Sequence, residues 1–362
     1  MLSRHMNKFL RHSYTRVISS HRSFVSAKSE TDHIANPTER DPAPFFFNEE
    51  VQECLKTLTT VDFKKVFRIR KDNHKLKPPQ YKFMTNKQLR EAEEAAKRKA
   101  ETYLQMPPVV KPRTDVSVPL CKDHALLNHN SAKYVFTDIT FGLNDKDRFV
   151  VIRETDGTLR HATWQERDRI VPIYFPKPGR ELVKSKMFEG EHLTSLLNRK
   201  EYEFILDRAC VQFEPDDPNY QTITREVYEY VNLEKDFDIL RSTRHFGPMV
   251  FHLVWTSNID NLLCEMIETS RIKDAVLLIR LYYKIHPTTK ATVDQSEKTD
   301  DIEFIMQYAR MDSPKSGTIE KLLQSYKELQ LEHQIVEEGI KKAHGISPEE
   351  SVETERSVET EK

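Results

Sequence analysis

Residues 259–287 read IDNLLCEMIETSRIKDAVLLIRLYYKIHP, and this stretch decides the fold class. Its apolar side chains recur three or four positions apart, at Ile259, Leu262, Leu263, Met266, Ile267, Ile272, Ala275, Val276, Ile279, Tyr282 and Tyr283. Because one face of an α-helix collects side chains at this spacing, the stretch predicts two consecutive amphipathic helices. Pro287 follows the second helix, at a place where proline commonly ends helical structure.

The helical spacing extends to both sides of this stretch. Over about residues 187–312 it predicts antiparallel helix pairs that resemble an α-solenoid, although no repeat of fixed length recurs. One long helix is predicted over 317–344, with a heptad seam at Ile319, Leu322, Tyr326, Leu329, His333, Val336 and Ile340. Packing on the preceding helices or binding of a partner helix would bury this seam. We predict a helical domain over 187–345 and a disordered acidic tail over 346–362.

The hydrophobic period changes in the middle of the chain. Residues 134–141, 148–153 and 159–163 are rich in β-branched and aromatic side chains, and Asp156-Gly157 is a hairpin-turn signal. Thr163 and Glu166 predict a capping box that opens a short helix, which Pro172 would end. We therefore predict a small α+β unit over 120–186, with two or three antiparallel strands. The fold class is mostly α, with this short hairpin or sheet in the middle and an irregular or solenoid-like helical C-terminal half.

The segment before the α+β unit predicts an extended helical arm over 48–119, preceded by a linker over 30–47. Asn48 is a plausible N-cap for a first helix, and Thr85 with Gln88 predicts a capping box for a second. The second helix is charged outside a narrow stripe of alanine and leucine. Such a helix usually lies over a larger partner.

Residues 1–29 predict a mitochondrial transit peptide. They contain six Lys or Arg side chains, seven serines and no acid, and their apolar residues form one stripe on a helix. A basic arm that binds nucleic acid would have a similar composition. Without these residues the formal net charge falls from −1 to −7, because six cations and no acids are removed. The protein would then reside in the reducing matrix, where unpaired thiols are expected.

Residues 64–82 form a strongly basic segment. Eight cations stand against one acid, and the candidate RNA contacts are Lys64, Lys65, Arg68, Arg70, Lys71, Lys75, Lys77 and Lys82. Lys and Arg release counterions from phosphates, and the neighbouring Tyr81 and Phe83 could stack on exposed bases. A solvated segment, or one held by an acidic protein surface, would have the same composition. Arg148, Arg153, Arg160, Arg167 and Arg169 predict partly paired surface clusters, and Arg241, Arg244 and His245 form a weaker basic group.

Common catalytic and nucleotide-binding motifs are absent from the sequence. Only 8 glycines occur, and no pair has the spacing of a Walker A loop, a GxGxxG loop or a GxSxG elbow. The four cysteines are widely spaced, and Cys121, His124 and His129 fit no standard zinc pattern. These absences exclude the common nucleotide-binding and hydrolase signatures but not enzymes in general. No catalytic constellation stands out among the remaining residues, so we predict a protein that is not an enzyme and that binds no cofactor, metal or small-molecule substrate. No apolar run approaches the length of a membrane helix, so no membrane partner is expected.

Six segments together resemble a known family. They are LKPPQYKFMT at 76–85, QMPPVV at 105–110, KYVFTDITF at 133–141, RFVVIRETDGTLRHATWQERDRIVPIYFPKPGR at 148–180, VQFEPDDPNY at 211–220 and DILRSTRHFGPMVFHLV at 238–254. In this order and spacing they resemble the S-twenty-two family of the mitochondrial small ribosomal subunit, over about residues 48–290. The resemblance implies a non-catalytic ribosomal component in the mitochondrial matrix, with small-subunit ribosomal RNA and neighbouring mitochondrial ribosomal proteins as partners.

Two other functions stay open from the residues alone. The first is an α-helical mitochondrial RNA-binding factor that acts on transcripts outside the ribosome. The second is a matrix enzyme, which would require a pocket that gathers His, Asp and Glu side chains. The favoured function is a structural component of the small ribosomal subunit that supports mitochondrial translation through protein and ribosomal RNA contacts.

Overall fold

Helices dominate the computed structural model, which describes residues 40–68, 80–115, 117–127, 130–287 and 300–344. The predicted transit peptide, the predicted acidic tail and most of the linker lie outside the described residues. So do Arg70, Lys71, Lys75 and Lys77 of the basic segment. By internal packing the chain divides into two compact units, one formed by Val109–Val227 and one by Ala43–Pro108 with the chain from Tyr228 onward.

Helices and strands follow one another in this order. The first helices are α1 (Ala43–Phe46), α2 (Glu49–Thr59), α3 (Phe63–Val66) and α4 (Asn86–Tyr103). Strands β1 (Pro119–Lys122), β2 (Tyr134–Thr137), β3 (Val150–Arg153) and β4 (Thr158–His161) follow. The remaining helices are α5 (Trp164–Tyr174), α6 (Gly190–Asn198), α7 (Tyr202–Gln212), α8 (Pro218–Glu234), α9 (Phe237–Leu240), α10 (Phe246–Trp255), α11 (Asp260–Glu268), α12 (Ile272–Ile285), α13 (Asp301–Met311) and α14 (Ser316–Ala343).

Local sequence signals set several of the helix starts. The Asn48 side chain accepts a hydrogen bond from the Glu50 amide and so caps α2 as predicted. Both predicted capping boxes form, Thr85 with Gln88 before α4 and Thr163 with Glu166 before α5. Each box satisfies backbone N–H groups that a helix start leaves without an intrahelical acceptor. These starts are therefore fixed by short-range chemistry.

The core of the unit that contains the C-terminal helices is built around α10. Eight of the ten residues of α10 are buried, among them Phe246, Phe251 and Leu253. Helix α2 packs on α10 and α12, and Phe46 meets Phe251 edge-to-face with ring centroids 5.2 Å apart. Helices α11 to α14 then pack successively against one another, and α14 also contacts α11. The apolar stripes of residues 259–287 therefore face the interior, as their spacing predicts.

The unit Val109–Val227 contains a four-stranded antiparallel sheet in the order β1-β4-β3-β2. Asp156-Gly157 makes the predicted hairpin between β3 and β4, with Gly157 at a φ of +81°. Val150 and Ile152 point from β3 into a small core that they share with Ala162 and Val171 of the following segment. The mostly α fold with a small antiparallel sheet in the middle is thus confirmed.

Two details differ from the sequence prediction. The sheet has a fourth strand, β1, which starts at Pro119 and pairs with β4 across a bulge. All four residues of β1 are exposed, so the strand lacks the apolar alternation that would have predicted it. Helix α5 also continues past Pro172 to Tyr174. Proline lacks a backbone N–H, yet Phe175 still donates to the Val171 carbonyl and closes the last turn.

Candidate nucleic-acid interface

The basic segment begins on α3, which is tied to the turn after α9. Asp62 caps α3 by accepting a hydrogen bond from the Lys64 amide at 2.8 Å. The Ser242 hydroxyl accepts from the Asp62 amide at 3.2 Å, and the Ser242 amide donates to the Thr59 carbonyl at 3.0 Å. These bonds hold the start of the segment on the folded unit.

An aromatic cluster fixes the same point to the end of α4. Phe63 and Phe67 stack with ring centroids 6.1 Å apart, and Phe67 meets Tyr103 edge-to-face at 5.9 Å. The Lys99 ammonium lies 5.6 Å from the centre of the Phe67 ring and 5.9 Å from that of Tyr103. Such cation–π contacts add to the stacking. The end of α3 is therefore held against the last turn of α4.

One predicted RNA contact is used inside the protein. Lys65 donates to the Asp238 carboxylate at 2.9 Å and to the Asp238 carbonyl at 2.8 Å. The hydrogen bond from Lys65 lowers the pKa of Asp238 below its usual range. An ammonium neutralised in this way contributes little to phosphate binding. Lys64, by contrast, is exposed, and its side chain lies on the solvent side of α3.

At its other end the basic segment runs into the start of α4. Tyr81, Lys82 and Phe83 are all exposed, and Tyr81 and Phe83 bury almost none of their surface. Large aromatic side chains normally bury most of their surface. Two bare rings on either side of a lysine match the pattern of single-stranded RNA sites, in which bases stack on aromatic faces beside cations.

The arginines of the middle unit are largely engaged in internal contacts. Arg148 is buried, donates to the carbonyls of Asp138, Thr140 and Leu143, and lies 3.5 Å from the centre of the Phe175 ring. Its guanidinium therefore organises the loop between β2 and β3. Arg167 likewise donates to the carbonyls of residues 145 and 146.

Arg160 forms a two-sided ion pair on β4. Its guanidinium donates to Glu154 at 2.6 Å and to Glu166 at 2.8 Å. The hydrogen bond from Arg160 lowers the pKa of Glu166 to about 2, and the same carboxylate completes the capping box of α5. Arg160 thus joins the hairpin to the first turn of α5.

A charged cluster joins residues from three parts of the middle unit. Arg113 donates to Asp168 at 2.5 Å and to Asp217 at 3.0 Å, and its guanidinium lies 4.8 Å from the centre of the Trp164 ring. The side chains of Arg113 and Asp217 are 8% and 6% exposed. Asp217 also accepts from the Asn219 amide at 2.8 Å and so caps the start of α8. Asp217 therefore acts both as the cap of α8 and as the ion-pair partner of Arg113.

The neighbouring Glu214 carries a strongly perturbed carboxylate. Lys177 and Arg180 donate to it at 2.9 and 2.8 Å. Burial acts to raise the pKa of Glu214, but the two cations outweigh it and lower that pKa to about 2. A small cavity of about 30 Å³ lies beside this cluster, lined in part by Trp164, Arg167 and Pro172. A carboxylate held charged by two cations is suited to holding chain segments together.

The weaker basic group near α10 is also internal. Arg241 is 2% exposed and donates to Glu265 at 2.6 Å, and its guanidinium lies 5.0 Å from the centre of the Phe246 ring. Burial lowers the pKa of Arg241, while Glu265 favours its charged form. His245 is fully buried. These two side chains are therefore not part of an RNA-facing surface.

Within the described residues, no group of three or more His, Cys, Asp and Glu side chains is arranged to hold a metal ion. Cys121 is exposed on β1, and His129 lies outside the described residues. Across those same ranges, no helix combines the length and the apolar character that a bilayer span requires.

Sequence reasoning found the basic segment but missed what anchors it. The start of the segment rests on Phe63, Phe67 and Tyr103, and on Ser242 far along the chain. The sequence holds a partial signal, since Phe63 and Phe67 are four residues apart and so share one helix face. The contact with Ser242 has no sequence signal, because 180 positions separate it from Asp62.

Comparison with known proteins identifies the family. A family profile described as "Mitochondrial 28S ribosomal protein S22" matches residues 44–287. The chain is 37% identical over 291 residues to "Small ribosomal subunit protein mS22" of Mus musculus, and the alignment covers 80% of each chain. It is 38% identical over 286 residues to the protein of the same name from Bos taurus, over 79% of each chain. This chain therefore belongs to the mitochondrial S22 family of small-subunit ribosomal proteins.

Proposed function

We propose that the protein is a structural, non-catalytic component of the mitochondrial small ribosomal subunit that binds ribosomal RNA and neighbouring ribosomal proteins. The family match over residues 44–287 carries this proposal. The relatives are named as small-subunit proteins, and the alignment spans four fifths of each chain for the mouse protein. Structural support of the subunit would in turn support mitochondrial translation.

Incorporation into the particle is the direct test of this role. We expect the protein from mitochondrial lysate to co-sediment with the small subunit and to remain bound after a high-salt wash. A protein that stays at the top of the gradient would contradict the proposal. Crosslinking that recovers messenger RNA rather than ribosomal RNA would instead favour a transcript-binding factor outside the ribosome.

We propose further that the basic segment over 64–82 makes the RNA contact. Tyr81, Lys82 and Phe83 support this role because they present two exposed rings and an exposed cation together. The anchored start supports it as well, since the contacts of α3 hold that end of the segment on the folded unit. Lys65 is left out of the proposed contact because Asp238 already neutralises it.

Salt dependence of RNA binding separates the basic segment from other exposed cations. One variant replaces four lysines of the segment with Gln: Lys71, Lys75, Lys77 and Lys82. The matched control replaces four exposed cations of α4 with Gln: Lys87, Arg90, Lys97 and Arg98. The probe is a small-subunit ribosomal RNA transcript. Four lost phosphate contacts should reduce the slope of log K against log salt by up to about 3, at about 0.7 per contact for single strands. An equal reduction in the control would contradict the assignment to this segment.

A further inference from the structure

The two halves of α14 differ in their surroundings. Ile319 and Leu323 are buried where the first half packs on α11 and α13. Ser313 and Tyr308 both donate to the Asp260 carboxylate at the start of α11, which holds the turn before α14 in place. From Lys327 to Ile340, by contrast, every residue is exposed to solvent among the described residues. The second half of the helix therefore extends beyond the packed body of its unit.

The exposed half carries the second part of the heptad seam predicted from the sequence, whose first member, Ile319, is buried. Leu329, Val336 and Ile340 are 51%, 59% and 53% exposed, and they continue the three-and-four spacing that starts at Ile319. A period of 3.5 residues is the signature of a helix that packs along another helix. Most helical stability in proteins comes from packing of an apolar face, so a second surface on this seam would stabilise the exposed half.

The charges beside the seam select the partner. With Ile319, Tyr326, His333 and Ile340 at position a, the flanking e and g positions of the exposed half are Gln330, Glu332, Glu337 and Gly339, and the two charged residues among them are both glutamates. Glu337 also pairs with Lys341 along the same helix at 3.0 Å. Side chains at e and g determine partner choice in helix pairs because they face each other across the seam.

A second copy of this helix fits the seam poorly in a parallel pair and in some registers of an antiparallel pair. In a parallel pair the g position of one helix faces the next e position of the other, which would place Glu332 opposite Glu337. In an antiparallel pair g faces g and e faces e, so registers that bring Glu332 opposite Glu332, or Glu337 opposite Glu337, repeat this repulsion. Like charges at these positions oppose pairing. A helix with Lys or Arg at e and g would meet both glutamates with opposite charge.

We propose that residues 327–343 are a docking site for an amphipathic helix of a partner protein, whose aliphatic seam is flanked by lysine or arginine. The single polar seam residue, His333, would help to set the register, as polar a-position residues do in helix pairs. The proposal does not depend on RNA binding by the basic segment, which lies in a different part of the chain.

The test uses the full chain and two synthetic three-heptad helices as probes. Both probes carry Leu at a and d; one has Lys at e and g, the other Glu. Fluorescence anisotropy should show binding of the Lys probe only. Replacing Leu329 and Val336 with Gln should weaken that binding by at least about thirty-fold, because two aliphatic groups leave the seam. The matched control, Leu331→Gln with Ile335→Gln, alters equally exposed side chains on another helix face and should bind as the unmodified chain does.

A charge swap gives the decisive result. Replacing Glu332 and Glu337 with Lys should reverse the preference, so that the Glu probe binds and the Lys probe does not. Equal loss of binding in the seam variant and the matched control would overturn the proposal. So would self-association of the unmodified chain through this seam in sedimentation equilibrium. A lower thermal midpoint in the seam variant would overturn it too, because the seam would then be covered by another part of the same chain.

Discussion

Arg113 is the residue whose surroundings the sequence reveals least. It lies 104 positions from Asp217 and 55 from Asp168, yet it donates to both carboxylates and stacks on Trp164. The Arg113 and Asp217 side chains are almost fully buried. Removal of one partner of a buried pair leaves the other charge without compensation, which is more costly than loss of a surface pair.

We expect Arg113→Leu to lower the free energy of unfolding of the middle unit by about 3 kcal/mol. Arg208→Leu is the control, since Arg208 pairs with a Glu181 side chain that is 60% exposed, and it should cost about 1 kcal/mol or less. The urea midpoints of both variants are measured by Trp164 fluorescence. The Trp255→Phe background removes the second tryptophan of the chain. Equal midpoints for the two variants would show that the Arg113 cluster is not stabilising.

Glu214 predicts a pH dependence of stability. Its pKa in the folded protein is about 2, below the value near 4.3 that is usual for an unfolded glutamate. A depressed carboxylate stabilises the fold fully above the unfolded pKa, and this contribution is lost as the pH falls toward the folded pKa. We therefore expect stability to fall between about pH 4.3 and pH 2.

The measurement is the urea midpoint at a series of pH values from 5 down to 3. Glu214→Gln should show a flatter decline than the unmodified protein, because it lacks the titrating group. Glu181→Gln serves as the comparison, since its carboxylate is largely exposed. If Glu214→Gln loses stability with pH as steeply as the unmodified protein, other carboxylates carry the effect.

At the scale of elements, the hairpin β3–β4 depends on Gly157. Its φ of +81° suits glycine, and a Cβ at this position would stand 2.1 Å from the Asp123 carbonyl oxygen. The Asp123 amide donates to the Gly157 carbonyl at 3.1 Å, so the segment after β1 crosses directly over the turn. The Asp-Gly signal therefore serves both the turn and the close approach of a second segment.

Gly157→Ala should lower the free energy of unfolding of the middle unit by about 2 kcal/mol or more, from backbone strain together with the clash. Gly142→Ala is a matched control, because Gly142 also has a positive φ of +84° but no atom within 4 Å of the added Cβ. It should cost about 1 kcal/mol. The loss of stability in both variants is measured by the hydrogen–deuterium exchange protection of peptides that cover residues 150–163. Equal loss of protection in the two variants would exclude the clash as the cause.

The elements also show where sequence signals end. The caps of α2, α4 and α5 were predictable because each cap is made by residues within three positions of the helix start. Strand β1 was not predictable. Its four exposed residues carry no alternation, and Pro119 is tolerated because it opens an edge strand. Pairing with β4 across nearly forty positions decides that β1 is a strand.

At the scale of the whole molecule, family membership confirms the mitochondrial and ribosomal assignment. The transit peptide over 1–29 stays a prediction. We expect the protein purified from mitochondria to begin after Arg22 and to focus at a lower pI than the full chain, because five cations and no acids are removed. N-terminal peptide mass spectrometry identifies the first residue of the mature protein. Recovery of intact residues 1–29 in the small subunit would favour a basic RNA-binding arm instead.

The fold class, several helix starts and the family follow from the amino-acid sequence alone. Each of these depends on residues that are close along the chain or on an ordered set of motifs. Only the tertiary structure decided which charges are available. Lys65 meets Asp238 across 173 positions, and Arg241 is buried against Glu265, whereas Lys64 and Lys82 face solvent. The physical reason is that ion pairing depends on distance and burial in space, which a linear run of charges does not contain.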